Sequence, residues 1–179
     1  MVEEYYGMML YPDSQIIMIS KSDLTNLYKW AKNRDFPFRK TPTTKGGYSN
    51  KEIYSFPLKF GRKKLTIRES FMPIEIIDIL KSEDILYTVV SIFKGGTILK
   101  PHRDPNLYKF PYKRIQIPLE IPEVGKCTMK WINGGKIIWE EDKPQVCNVM
   151  YDLHEASNLS EQDMSMLFVD VKLDTVVEL

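Results

Sequence analysis

Lys126-Cys127-Thr128-Met129-Lys130-Trp131-Ile132, then Asn133-Gly134-Gly135, then Lys136-Ile137-Ile138-Trp139-Glu140: two short apolar-polar runs parted by turn residues set the fold class. Runs of this length, mixing β-branched and aromatic residues with polar ones, read as strands. The same texture continues on both sides. Ile85–Phe93, Lys113–Glu120, Val146–Met150 and Ser165–Lys172 are further candidate strands. Gly95-Gly96, read as a hairpin turn, Pro105-Asn106 and Asp142-Lys143-Pro144 punctuate them. Regularly spaced strands of this kind imply a sandwich or barrel.

The first half is mixed. Gln15 to Ile19 reads as a short strand, and Ser22-Asp23 as the cap of a helix running to about Asn33. Leu24, Leu27, Tyr28 and Ala31 form its apolar face. Arg39 to Ser49 reads as an exposed loop, Glu52–Phe56 and Lys64–Arg68 as strands, and Pro73 to Leu80 as a short helix. No repeat or linker divides the chain. The expectation is one domain over residues 1–179, with 1–84 supplying flanking helices and strands and 85–179 a barrel core.

Composition narrows the classes. The chain has 179 residues, 43% hydrophobic and 27% charged, as expected for a globular protein. A net charge of +1 argues against an obligate nucleic-acid binder. No apolar run approaches membrane-spanning length, and Glu3 and Glu4 stand where a secretory signal would be basic. Cys127 and Cys147 are too isolated for a disulfide scaffold, which places the expectation in the cytoplasm with both thiols reduced.

Histidine carries the chemistry. The chain contains two, His102 in His102-Arg103-Asp104 and His154 in Tyr151-Asp152-Leu153-His154-Glu155. Residues i and i+2 of an extended segment share a side, so His102 and Asp104 can reach one ion together. A strand-borne His154 can face them from elsewhere in a barrel. Two imidazoles and one carboxylate suit Fe(II) and leave coordination positions open; zinc or manganese suits the same donors. Asp152 is a rival ligand, a partner orienting His154, or a turn residue. Glu155 points away from His154 on an extended chain.

Several linked segments resemble the aspartyl/asparaginyl β-hydroxylase family of 2-oxoglutarate-dependent oxygenases. They are Ser91-Ile92-Phe93-Lys94-Gly95-Gly96-Thr97-Ile98-Leu99-Lys100-Pro101-His102, then Arg114-Ile115-Gln116-Ile117-Pro118-Leu119-Glu120-Ile121-Pro122. Trp139-Glu140-Glu141, His154-Glu155 and Leu167-Phe168-Val169-Asp170-Val171 follow in order. The resemblance covers about residues 85 to 172. It implies a double-stranded β-helix, the jelly-roll or cupin-like barrel, with Fe(II) at one open end and 2-oxoglutarate as cosubstrate. The implied chemistry is oxidative decarboxylation of 2-oxoglutarate coupled to hydroxylation of an unactivated C–H bond.

By the same resemblance His102 and His154 match the two iron-binding histidines. Ser91 matches a serine at the distal carboxylate of 2-oxoglutarate, and Arg114 an arginine near that cosubstrate. Asp104 stands where the animal hydroxylases carry glycine, restoring a carboxylate ligand. Gln116 takes a position that is often histidine. The family's arginine ten residues after the second histidine is Met164 here, and an apolar side chain cannot pair with an anion. Lys130 is the first candidate to replace it as the cosubstrate's cation, with Lys100 and Lys113 behind it. Asn158 also fits the family's pattern.

The expected function is thus an Fe(II)- and 2-oxoglutarate-dependent hydroxylase of a protein side chain, a peptide or an amino-acid-like substrate. The alternative is a non-catalytic binding or structural protein on the same barrel. Arg62-Lys63-Lys64, and Lys109 to Arg114 interleaved with Tyr108, Phe110 and Tyr112, are basic-aromatic clusters; the second reads as a substrate rim.

Overall fold

The computed structural model describes residues 18–41, 49–61, 64–66, 69–105, 108 and 110–179. Among the described residues, thirteen strands and two α-helices follow in chain order. They begin with β1 (Met18–Ile19), α1 (Lys21–Lys32), β2 (Arg39–Lys40), β3 (Ile53–Phe60) and β4 (Lys64–Leu65). A 3₁₀ turn at Glu69–Phe71 leads into α2 (Ile74–Lys81). Then come β5 (Ile85–Phe93), β6 (Thr97–His102), β7 (Tyr112–Glu120), β8 (Cys127–Trp131) and β9 (Lys136–Ile138). β10 (Gln145–Cys147), β11 (His154–Asn158), β12 (Met164–Lys172) and β13 (Val176–Val177) complete the fold.

From β5 onward the chain passes back and forth between two facing sheets. The larger has the order β10-β7-β12-β5-β3-β2, with β4 on β3; the smaller is β6-β11-β8-β9. This winding is the double-stranded β-helix, or cupin-like jelly roll. The strands belong to separate sheets, so hydrogen bonding does not close them into one continuous cylinder.

β12 shows why the larger sheet is central. Leu167, Val169 and Val171 face α1 and α2, where they pack with Leu24, Leu27 and Ile76. Met164, Met166 and Phe168 alternate with them and face the smaller sheet, packing with Met129 and Trp139. A strand buried on both faces gives a nearly unbroken apolar run. Into that run the sequence inserts one charge, Asp170, almost fully buried.

The expected elements are largely present, with instructive differences. α1 is capped by Ser20 rather than by Ser22-Asp23: the Asp23 N–H donates to Ser20 Oγ, and the Ser20 N–H donates back to Asp23. Asp23 is the third helical residue of that capping box, so the helix starts before it. Tyr28 lies at the edge of the buried face, whose largest member is Trp30. The loop expected from Arg39 begins with a short strand, and residues 42–48 lie outside those described. The same is true of residues 15–17 and of the Arg62-Lys63 pair. Among the described residues no helix is long and apolar enough to cross a membrane.

Candidate metal centre

His102 closes β6, and a bulge makes it face inward. Leu99 opposes Ala156 on β11, yet His102 opposes His154, so β6 holds one residue more than its partner. In a regular ladder Pro101 would take the place opposite His154, and His102 would face the other side. The extra residue falls at Lys100-Pro101. Pro101 has no N–H for the ladder, and a bulge on an edge strand is where proline is tolerated. His154 opens β11 between His102 and Trp131. Asp104 follows β6, its N–H donating to the Val149 carbonyl at 3.0 Å.

The three side chains converge. Ligand atoms of His102, Asp104 and His154 lie within 4.8 Å of one another. His102 Nε2 is 3.4 Å from Asp104 Oδ1, and His154 Nε2 is 3.9 Å from the same oxygen. Each imidazole is fixed by the main chain two residues upstream. His102 Nδ1 donates to the Lys100 carbonyl at 2.7 Å, and His154 Nδ1 to the Asp152 carbonyl at 2.9 Å. A carbonyl only accepts, so each ring takes the Nδ1–H form and its Nε2 becomes a donor to a metal. Asp152 therefore touches His154 through its backbone.

Asp104 is itself held. Arg114 on β7 donates Nη1 to Asp104 Oδ2 while clasping Asp170 with Nε at 2.6 Å and Nη2 at 2.9 Å. The Tyr108 hydroxyl donates to Asp170 at 3.0 Å. Burial pushes the Asp104 carboxyl up, but Arg114 and the two imidazoles overrule it and hold it at about 2. Burial pushes the His102 ring down; Asp104 and the Lys100 carbonyl outweigh it, and the net direction is upward. His154 is driven down by burial and stays neutral, as a metal ligand must. Two imidazoles and an ionised carboxylate sharing one focus fit a divalent metal ion. Burial raises both thiols, Cys147 to about 12, which keeps them protonated.

The other expected site residues fall in different places. Ser91 faces the space between the sheets and shares a hydrogen bond with Ser55 at 2.8 Å. Gln116 also faces inward, accepting from Trp139 Nε1 at 2.9 Å and touching Met129 Sδ at 3.2 Å. Met164, beside Phe93 in the ladder, is buried at the far end of that space. Lys130 is carried elsewhere. It opposes Glu155, pairs with it at 3.6 Å and lies on the outer face of the smaller sheet, away from His154. Asp170, a lone buried acid in an apolar strand, takes its role here from the clasp with Arg114.

A family model described as aspartyl/asparaginyl beta-hydroxylase matches residues 26–173, most of the length. The chain belongs to the aspartyl/asparaginyl β-hydroxylase family. No curated protein matches this hydroxylase-family chain in sequence. Among solved structures it is similar to an oxidoreductase of the 2OG-Fe(II) oxygenase family from Burkholderia pseudomallei, at 9% identity and TM-score 0.56. That match covers 82% of this chain and 78% of the other. A predicted oxalate decarboxylase from Thermotoga maritima matches at 12% identity and TM-score 0.47, covering 76% and 92%. A cupin-like protein from the same organism matches at 10% and 0.46, covering 78% and 83%. At 9% identity the Burkholderia match speaks to the fold alone, which is the one described above.

Proposed function

We propose that this family member is a ferrous-iron oxygenase that hydroxylates a C–H bond of a protein side chain, a peptide or an amino-acid-like substrate. The observation that carries this reading is the convergence of His102, Asp104 and His154 within 4.8 Å, in a chain whose family is named for side-chain hydroxylation. When bound, iron supplies the redox chemistry that couples a 2-oxo acid and dioxygen to a C–H bond.

The chain's own residues do the rest. The two main-chain tethers aim both Nε2 atoms at one point before any ion arrives. Arg114 keeps Asp104 Oδ2, so Oδ1 is the oxygen offered. Asp170 takes the other edge of that guanidinium, so Arg114 is a positioning residue for Asp104. The family resemblance implies 2-oxoglutarate as cosubstrate. Among the described residues its distal carboxylate finds no free cation in the interior: Met164 is apolar, Lys130 faces outward and Arg114 is engaged by two acids. A buried anion without a cation is costly.

Anaerobic Fe(II) titration of the full chain tests the centre. One equivalent should bind, and His102→Ala or His154→Ala should remove it while circular dichroism stays unchanged. Iron binding with no bound oxo acid and no turnover would identify a binding protein on the same barrel.

A further inference from the structure

We propose that the cosubstrate of this site is a 2-oxo acid with an uncharged, apolar tail. The inference rests on the oxygenase reading above and names the class of oxo acid that this site takes. The ladder pairings order the interior face of the larger sheet into layers running away from the metal centre. The first holds the Arg114–Asp170 pair; the second sets Gln116 and Val89 on either side of Phe168. The third sets Ser91 between Met166 and Ser55. The fourth sets Phe93 between Met164 and Ile53. Facing these layers, the smaller sheet presents Leu99, Ala156 and Met129.

A 2-oxo acid chelating a metal held by His102, Asp104 and His154 would direct its tail along these layers. In the second to fourth layers the tail would meet thioethers, aromatic edges and the Ser55–Ser91 hydroxyl pair, with no positive charge among the described residues. Deeper still, Thr97 Oγ1 is buried without a hydrogen-bond partner, which adds a neutral hydroxyl. Among the described residues the interior's one guanidinium, Arg114, is bound to Asp170 and Asp104 at the metal end. The Gln116 amide is committed to Trp139 and Met129. An aliphatic tail gains by leaving water in such a lining, whereas a carboxylate loses its hydration and finds no countercharge.

The coupled reaction balances without a second carboxylate. The C1–C2 bond of the oxo acid breaks and releases carbon dioxide. One atom of dioxygen enters the new shortened carboxylate, and the other enters the substrate C–H bond as hydroxyl. Two of the four electrons come from the oxo acid and two from the C–H bond.

Two probes share one chelating head and differ in the tail: 4-methyl-2-oxopentanoate and 2-oxoglutarate. Each is titrated anaerobically into the Fe(II)-loaded full chain, following the visible charge-transfer absorption of an oxo acid chelated to ferrous iron. The apolar acid should bind at least about tenfold tighter. Oxygen, with ascorbate supplying the two electrons that the C–H substrate would otherwise give, should then convert it to 3-methylbutanoate and carbon dioxide. Met164→Arg should move the preference toward 2-oxoglutarate by about tenfold or more, while Met164→Leu should leave it with the apolar acid. If Met164→Arg fails to fold, the wild-type comparison decides alone. Tighter binding of 2-oxoglutarate by the wild type would overturn the inference and leave the oxygenase reading standing. Iron binding with neither acid bound would overturn both.

Discussion

The two ends of the space between the sheets are built on opposite terms. At the metal end, buried charge is accepted because each charge is wired to another: Asp104 to Arg114, Arg114 to Asp170, Asp170 to Tyr108. At the far end charge is excluded, and Met164, Phe93 and Cys127 pack around Asn158, whose amide is saturated by main chain and Ser160. One end fixes direction, where a shifted oxygen loses a ligand. The other fixes shape, where a misplaced atom loses volume. A single jelly roll thus separates chemistry from packing along its axis.

The contrast can be broken most severely at the rings. His102→Ala and His154→Ala should each weaken Fe(II) binding by roughly a hundredfold or more, since each removes one of three donors. Unchanged affinity in both variants, by anaerobic titration, would refute the ligand assignment. Arg114→Met comes next. It leaves Asp170 buried without its cation, and urea denaturation should show a loss of about 3–5 kcal/mol. Iron affinity should fall with it, because Asp104 loses its anchor.

At the far end the sensitive position is Gly95. A Cβ there would lie 2.2 Å from the Glu161 carbonyl oxygen, so backbone must move. Gly95→Ala should destabilise by about 1–3 kcal/mol, in the range of overpacked cores, while iron affinity changes little. A neutral result in denaturation would mean that the two turns are not in close approach.

The smallest effect is the acid response of the metal-free protein. The Asp104 carboxyl sits at about 2 in the fold, below its ordinary 3.8, so the folded state binds fewer protons in that interval than the unfolded state. Its contribution, about 2 kcal/mol, is present above roughly pH 4 and is lost as pH falls toward 2. Arg114→Met should flatten that slope, which separates electrostatic holding of Asp104 from generic acid unfolding.

The sequence made the larger sheet legible because its strands are buried on two faces or alternate cleanly. Ile85–Phe93 coincides with β5, and the other strands read in this half differ from the structure mainly at their ends. The strands carrying the histidines were harder. β11 is His154-Glu155-Ala156-Ser157-Asn158, with one small apolar residue, and β6 loses its alternation at the Pro101 bulge. Their extended form had to be inferred from ligand spacing. The face of Lys130 was not readable either. Cys127, Met129 and Trp131 alternate with Thr128, Lys130 and Ile132, and apolar residues occur in both sets. Asp104, His102 and His154 could be grouped from their chemistry, whereas the Asp170–Arg114 clasp needed strand register, which no local pattern carries.

The carbonyl tethers on the two rings have a consequence for how such a chain can change over evolutionary time. Because Lys100 and Asp152 act through main-chain oxygen, almost any side chain at those positions can keep the imidazoles in place. The seat of the ion is inherited with the backbone, so the wall beyond it is free to be retailored. A lineage can trade one small-molecule fuel for another there without rebuilding its catalytic anchor.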